Sequence, residues 1–258
     1  MDRADAEAEG ADVQNESYID VVLRLASAQK GAARGAPAYS RFVNRRMGRF
    51  LAAAAYKMGL SPNQVTGVSA LHTFAGIALL IVLPPSWWLG IAVMILLVLG
   101  YAWDSADGQV ARLTGQGSPA GEWLDHIVDA IKVVTLPLAL MVALFRFEPV
   151  DSIWLLVPLI NAVTSSVMFF AMILTDQLRR AHGVTSTSST GGKVPWLRSV
   201  MALPTDYGVL CLTFALYGAT TLFVGIYGLM TLAAVLFLVL ALPKWFRDVR
   251  TLAAAGQG

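Results

Sequence analysis

Charged residues are scarce in this sequence. Asp, Glu, Lys and Arg make up 14% of the 258 residues, whereas 56% are hydrophobic and the mean hydropathy is +0.61. A soluble domain carries about 25% charged residues, so the composition excludes an ordinary soluble domain. The net charge of +2 is also too small and too dispersed for a nucleic-acid-binding surface, which needs a concentrated basic patch.

The sequence also has little cysteine and no recognisable signal peptide. The single cysteine, Cys211, excludes a disulfide within the chain. The N-terminus has no basic-then-apolar signal peptide, so we expect the first membrane span to direct insertion. No internal repeat is visible, which removes the strongest sequence indication of a transporter built from inverted repeats.

Long apolar runs are abundant. A helix needs about 17–25 mainly apolar residues to cross the hydrocarbon core. Six runs approach this length: residues 67–83, 87–103, 127–145, 153–174, 207–222 and 226–241. The sequence therefore predicts an all-α membrane protein with six transmembrane helices, embedded in a lipid bilayer.

The basic residues predict the orientation of these spans. If the N-terminus is cytoplasmic, all Lys and Arg residues fall on the cytoplasmic side except Arg146, on the outer side, and Lys132, within a span. The positive-inside rule then predicts a protein of the cytoplasmic (plasma) membrane with both termini inside.

Three segments are distinguished by composition. Residues 1–38 are predicted to be a disordered or partly helical cytoplasmic segment, since residues 1–16 contain six acids and no apolar periodicity. Residues 39–245 form the predicted six-span domain, and 246–258 a cytoplasmic tail. Within the first segment, residues 17–30 predict a short helix closed by Gly31.

Two further stretches flank the spans. Residues 39–58 mix aromatic and small apolar residues with five Lys or Arg, which predicts an N-terminal amphipathic helix in the membrane interface. A simple positive-inside flank explains the same composition equally well. Residues 183–192 are rich in Ser, Thr and Gly and predict a flexible cytoplasmic loop.

Four aspartates fall at or just inside the ends of the second and third spans: Asp104, Asp107, Asp125 and Asp129. A helix advances about 100° per residue, so the first two share one helix face and the last two share another. If the glycine- and proline-containing stretch between the helices lets them stand antiparallel, the four carboxylates converge. Their position near one end of the spans predicts a site at the cytoplasmic edge of the bilayer.

Converging carboxylates at the edge of hydrocarbon repel one another and lose hydration. They therefore hold cations, or the convergence is wrong. Hard carboxylate oxygens suit Mg²⁺ or Mn²⁺. Two such ions about 3.5–4 Å apart would bind a pyrophosphate and stabilise both oxygens of an in-line displacement.

Small and basic residues stand beside the acids. Gly108 and Gly121 would let a flat nucleotide lie against the helix backbone, although close packing of membrane helices explains glycines as well. Arg112 is suited to a phosphate because its guanidinium donates two parallel hydrogen bonds. Lys132 lies one turn inside the third helix and needs a partner, either Asp129 or an anionic acceptor.

The pattern as a whole resembles the signature of the CDP-alcohol phosphotransferase (CDP-alcohol phosphatidyltransferase) family. It reads Asp104-x-x-Asp107-Gly108-x-x-Ala111-Arg112, eight intervening residues, then Gly121-x-x-x-Asp125-x-x-x-Asp129. Ser61-Pro62-Asn63-Gln64-Val65-Thr66 is similar to the segment that precedes the first span in these enzymes. The six-span layout extends the resemblance to about residues 40–245.

The resemblance implies an enzyme of phospholipid biosynthesis. It would transfer a phosphatidyl or other substituted phosphate group from a CDP-linked alcohol, most simply CDP-diacylglycerol, to an acceptor alcohol and release CMP. Asp104, Asp107, Asp125 and Asp129 would ligate two Mg²⁺ or Mn²⁺ ions, and Asp129 would also be the general base. The nucleotide would be held by Asn63, Gln64, Val65, Thr66, Gly108, Arg112 and Ser118. A homodimer is also implied.

The sequence does not identify the acceptor alcohol. Phosphatidylinositol-phosphate synthases resemble one another in a Lys-Ala-Arg-Ala-Glu run at the end of the fourth helix, where this sequence reads MILTDQLRRA. Arg179 and Arg180 could replace that run only in a different register. Glycerol phosphate, an inositol compound, an amino alcohol and a diradyl lipid are all compatible with the sequence.

An ion-coupled transporter is the competing hypothesis, because intramembrane acids also mark ion pathways. Transporters place such groups near the bilayer midplane on broken helices. Here the acids are expected within about 12 Å of one end of the helices, which favours an enzyme facing a soluble nucleotide.

Overall fold

Helices form every regular element within the residues that the structure describes, 16–28, 37–147, 150–184 and 205–255. In this computed structural model the α-helices are α1 Tyr18–Ser27, α2 Arg45–Lys57, α3 Pro62–Val82, α4 Trp87–Thr114, α5 Pro119–Phe147, α6 Leu156–Ala181, α7 Tyr207–Thr213 and α8 Thr220–Ala255. Short π- or 3-10-helical turns, Ser40–Asn44, Ser152–Leu155 and Phe214–Leu216, adjoin α2, α6 and α7. The predicted all-α fold is confirmed.

Among the described residues, five helices are long and apolar enough to cross a membrane: α3, α4, α5, α6 with its preceding turn, and α8. The chain is therefore an all-α membrane protein. The fifth predicted span, residues 207–222, contains only the short apolar helix Tyr207–Leu216, which at 1.5 Å per residue is about 15 Å long. The structure therefore does not confirm the count of six spans.

The acid-bearing helices extend well beyond the apolar runs that predicted them. α4 continues past residue 103 and ends at Gly115, which has a φ of +67°, a conformation that glycine adopts without steric cost. α5 begins at Pro119, where the hydroxyl of Ser118 accepts a hydrogen bond from the amide of Gly121 at 3.1 Å. The acids therefore lie on regular helix on both sides of a short turn.

α3 joins the two acidic helices. It packs along both α4 and α5, whereas α4 and α5 have hardly any close backbone contact with each other. At Gly100 of α4, an added Cβ would lie 3.2 Å from backbone atoms of Ser69 and Thr73 on α3. The missing side chain thus permits the close approach, and the space between α4 and α5 stays open for side chains and a ligand.

The C-terminal helices complete the apolar core at the other end of α4. Phe214, Tyr217 and Phe223 are fully buried there with Leu97 and Leu140. The chain turns between α7 and α8 at a glycine, residue 218, whose Cβ would lie 2.6 Å from the backbone nitrogen of Trp87. A side chain at residue 218 would not fit there without a shift of the backbone.

The N-terminal helices lie against the same bundle. α1 buries Val21, Val22 and Leu25 in a cluster with the alanines of α2 and with residues of α3 and α4, which confirms the short helix predicted after residue 17. The carboxylate of Asp206, just before α7, accepts hydrogen bonds from the amides of Tyr39 and Ser40. Placement of α2 in the membrane interface stays a prediction.

Several predictions are not tested. The disorder of residues 1–16, the helix end at Gly31 and the loop at 183–192 fall wholly or mostly outside the described residues. The division into 1–38, 39–245 and 246–258 also stays a prediction, and its second boundary falls inside α8, which runs unbroken to Ala255.

Candidate active site

Three of the four aspartates meet in space. Carboxylate oxygens of Asp104, Asp125 and Asp129 all lie within 4.8 Å of one another. The turn between α4 and α5 explains the meeting, because Asp104 lies ten residues before the end of α4 and Asp129 ten residues after the start of α5. At 1.5 Å per residue, both stand about 15 Å from the turn and face each other at the same depth.

Asp107 is buried and has partners of its own. The hydroxyl of Thr66 on α3 donates to its Oδ2 at 2.7 Å, and the amide of Gly108 donates to its Oδ1 at 2.5 Å. Asp107 does not join the three-carboxylate group, but it lines a cavity together with Asp125. The structure therefore brings all four acids to one region and brings three of them into direct proximity.

Lys132 pairs with two of the three acids, and the imidazole of His126 lies 3.9 Å from Oδ2 of the third, Asp125. The ammonium of Lys132 lies 2.5 Å from Oδ1 of Asp104 and 3.1 Å from Oδ1 of Asp129. Of the two partners that the sequence left open for Lys132, the structure shows Asp129, and the pairing with Asp104 was not predicted. Asp125 differs from both, because its Oδ1 is buried and has no hydrogen-bond partner among the described residues.

The nucleotide-contacting residues predicted from the sequence fall into two groups. A cavity of about 520 Å³ opens beside the acids and is lined by Asn63, Thr66, Gly108, Arg112 and Ser118. Gln64 and Val65 are not among the residues that line it. The side chain of Gln64 accepts a hydrogen bond from the amide of Ser61 at 2.8 Å and completes the N-terminal cap of α3, and Val65 is fully buried.

The two glycines of the motif both face this cavity. A Cβ on Gly108 would meet only the guanidinium of Arg112, at 3.4 Å. A Cβ on Gly121 would lie 3.0 Å from the side-chain oxygen of Asn63. Neither glycine is closely approached by the backbone of another helix, so their smallness serves the cavity more than helix packing.

Arg112 is an exposed residue at the wall of the cavity, one turn beyond Gly108. A guanidinium there can donate two parallel hydrogen bonds to a phosphate. Because Asp107, Asp125 and Arg112 all line the cavity, it provides both metal-ligating and anion-binding groups. A diphosphate needs both kinds of group.

One polar contact of the site was missed by sequence reasoning. Ser69 on α3 is completely buried, and its hydroxyl accepts a hydrogen bond from Lys132 at 3.0 Å. A signal for it exists in the sequence, because Thr66, Ser69 and Thr73 recur at helical spacing on one face of an otherwise apolar span. Buried hydroxyls at that spacing indicate a polar neighbour.

The two arginines at the end of α6 are both engaged by carboxylates. Arg179 pairs with Asp248 on α8 at 2.7 Å. Arg180 pairs with Glu122 on α5 at 2.6 Å and with Asp176 at 2.8 Å. These ion pairs connect the ends of α5, α6 and α8, so both arginines have a structural role here, and neither one pairs with the three acids.

Comparison with known proteins agrees with the geometry. No curated protein gives a significant match. The family model described as CDP-alcohol phosphatidyltransferase matches residues 59–247, which include α3 to α7, most of α8 and every acid of the site. The match covers well over half of the chain, and this protein therefore belongs to the CDP-alcohol phosphatidyltransferase family.

Proposed function

We propose that this protein transfers a phosphatidyl group from CDP-diacylglycerol, or a related substituted phosphate from another CDP-linked alcohol, to the hydroxyl of an acceptor alcohol and releases CMP. The observation that carries the proposal is the meeting of Asp104, Asp125 and Asp129 within 4.8 Å beside a cavity that Arg112 also lines. Few other chemistries need a carboxylate cluster and a phosphate-binding arginine around one nucleotide-sized space.

The residues fit a divalent metal. The three acids provide hard oxygen ligands, which Mg²⁺ and Mn²⁺ prefer, and the unpartnered Oδ1 of Asp125 is a buried acceptor without a donor. We propose that two ions are held by Asp104, Asp107, Asp125 and Asp129. When bound, such ions neutralise a diphosphate and stabilise the leaving phosphate oxygen.

The protein's own groups then have distinct roles. Asn63, Thr66, Gly108, Arg112 and Ser118 bind the CDP moiety in the cavity. Lys132 bonds one oxygen of Asp129 and so orients the other toward the acceptor. Asp129 takes the hydroxyl proton, as a general base does. The acceptor oxygen bonds to the phosphorus that carries the donor's alcohol, and the bond from that phosphorus to the oxygen of CMP breaks.

The acids lie near one end of α4 and α5, on either side of the turn that joins them, which favours an enzyme over a transporter with a midplane site. The proposal includes a cytoplasmic position for that end, because the basic residues predict it. It also includes a homodimer and a role in phospholipid biosynthesis, both implied by the family. The acceptor is left to experiment.

The direct test follows CMP release by the purified protein. CDP-diacylglycerol is supplied with Mg²⁺ or Mn²⁺ and a panel of alcohols: glycerol phosphate, inositol, inositol phosphate, an amino alcohol and diacylglycerol. We expect CMP release with one class of acceptor, loss of release in excess chelator, and recovery when metal is restored. Undiminished turnover in chelator would contradict the metal-dependent mechanism.

A second test separates enzyme from transporter. Ser118→Cys places a thiol in the turn between the acidic helices, and the native thiol of Cys211 is buried. In inside-out vesicles we expect an impermeant thiol reagent to label it and prior CDP with Mg²⁺ to protect it. In right-side-out vesicles it should stay unlabelled. Labelling that alternates between faces on adding substrate would support a transport pathway.

A further inference from the structure

We infer that Lys132 is a positioning residue and a permanent internal cation of the carboxylate centre. It holds Asp104 and Asp129 in place before metal arrives, and its charge keeps the affinity of the centre for divalent ions low enough for exchange. The inference rests on the proposed function, because it concerns the same metal centre, and it adds a determinant outside the aspartate motif.

The contacts of the ammonium carry the inference. A lysine ammonium has three N–H donors, and three acceptors surround this one: Oδ1 of Asp104 at 2.5 Å, Ser69 Oγ at 3.0 Å and Oδ1 of Asp129 at 3.1 Å. The Lys132 side chain is only 6% exposed. Every donor is satisfied, so the ammonium has a single well-defined position.

The surrounding helices fix that position. Lys132 and Asp129 lie on α5, Asp104 on α4 and Ser69 on α3. The hydroxyl of Ser69 donates to the carbonyl oxygen of Gly100 on α4 at 2.9 Å. One charged group therefore joins all three helices of the site, and the two acids that it bonds stand at matched depth across the opening between α4 and α5.

Electrostatics gives Lys132 two opposed effects. In the metal-free protein it offsets repulsion between Asp104 and Asp129, so its removal destabilises the empty centre. In the metal-bound protein it repels the ions, so its removal strengthens metal binding. Unit charges about 5 Å apart interact by more than the equivalent of a tenfold change in affinity, even at an effective dielectric of about 20. Removal of the charge should therefore lower the stability of the metal-free protein and raise its affinity for metal. Removal of a lysine with only a structural role would not raise the affinity for metal.

The test measures metal binding and thermal stability independently of turnover. Lys132→Met removes the charge, Lys132→Gln removes it but keeps polar atoms, and Lys132→Arg retains it. The exposed Lys244 provides the matched control, Lys244→Met. Each purified protein is titrated with Mn²⁺, free Mn²⁺ is measured by electron paramagnetic resonance, and melting temperatures are recorded with and without Mn²⁺.

We expect Lys132→Met and Lys132→Gln to bind Mn²⁺ about tenfold more tightly than the wild type. Both should melt lower without metal and gain more from Mn²⁺, while their turnover falls through kcat because Asp129 is no longer oriented. Lys132→Arg should bind Mn²⁺ about as the wild type does, and Lys244→Met should change neither binding nor melting.

The outcomes separate the inference from the proposed function. A wild type that binds no Mn²⁺ would overturn both. A wild type that binds Mn²⁺, with neutral Lys132 variants that bind it equally or more weakly, would overturn only the inference. If both neutral variants fail to fold even in saturating Mn²⁺, the inference is also overturned, because the metal should then replace the missing charge.

Discussion

Two buried polar centres lie between helices of this protein, and they differ in how completely their atoms are paired. Between α6 and α8, Asn161 donates to Thr231 at 3.2 Å, and its side-chain oxygen accepts from Tyr227 at 3.0 Å. Between α4 and α5, the acids bond to Lys132 and Thr66, yet Oδ1 of Asp125 is buried without a partner among the described residues.

The difference separates a structural centre from a binding centre. The Asn161 network is neutral and its side-chain groups bond to one another, so it needs nothing from outside the protein. Buried groups that stay unpaired cost free energy, and in a binding site a ligand can complete the pairing. The carboxylate centre has both excess charge and an unpaired acceptor, whereas the Asn161 network has neither.

The largest loss of turnover is expected when the proposed general base of the carboxylate centre is replaced. Asp129→Asn retains the size of the side chain but cannot accept the proton, so turnover should fall by about 10²–10⁴-fold. Binding of the CDP-linked donor should remain measurable by CDP titration. Asp151→Asn, at an exposed acid outside the site, is the control and should release CMP at the wild-type rate. Near-normal turnover in Asp129→Asn would assign the base elsewhere.

A smaller effect is expected at the hydroxyl that bonds Asp107. Thr66→Val removes the 2.7 Å hydrogen bond while conserving shape. Hydrogen bonds to charged groups contribute about 1.5–3 kcal/mol, so kcat/KM should fall roughly 10- to 100-fold. Thr66→Ser retains the hydroxyl and should lose much less. Equal losses in both variants would mean that the methyl group matters more than the bond to Asp107.

Substitutions in the neutral Asn161 network should change the stability of the protein and not its activity. Asn161→Ala removes the acceptor of the buried Tyr227 hydroxyl, which costs about 1–3 kcal/mol of unfolding free energy, whereas Thr231 keeps its bond to the carbonyl of Tyr227. CMP release per folded molecule should not change. Denaturation in detergent measures the first quantity and the CMP assay the second. A specific loss of turnover would show that this network contributes to catalysis, and the contrast between the two centres would fail.

The smallest effect is expected from Tyr227→Phe, which deletes one hydroxyl of the network and leaves the ring in the core. Side-chain hydrogen bonds between membrane helices average about 0.6 kcal/mol, so the loss of stability should be a fraction of that in Asn161→Ala. A loss as large as that of Asn161→Ala would assign the network's stability to this single bond.

Local spacing made much of the protein predictable from its sequence. The apolar runs predict membrane helices because only helices of that length satisfy the backbone in hydrocarbon. The interval between Asp104 and Asp107, and between Asp125 and Asp129, places each pair on one helix face because helix geometry is constant. The same intervals carry the family resemblance, which the match over residues 59–247 confirms.

Helix ends were less predictable. The apolar runs stop at 103 and resume at 127, whereas α4 continues to Thr114 and α5 starts at Pro119. Hydropathy detects only the part of a helix that lies in the membrane interior. The polar turns that extend the helix beyond that part are stabilised by caps such as Ser118. The apolar run 207–222 likewise gives no sign of the turn at Gly218, where an added Cβ would lie 2.6 Å from the backbone nitrogen of Trp87.

By itself the sequence determined the all-α membrane class, the family motif and the face on which each acid lies, since these follow from composition and from the fixed rise and rotation of a helix. The tertiary structure decided which acids meet, that Asp107 bonds to Thr66 instead of joining the other three, and that Lys132 bridges Asp104 and Asp129. Those outcomes depend on how α3 separates α4 from α5 and on the rotation of each helix about its axis. The intervals between residues along a helix do not determine the distance between that helix and its neighbour.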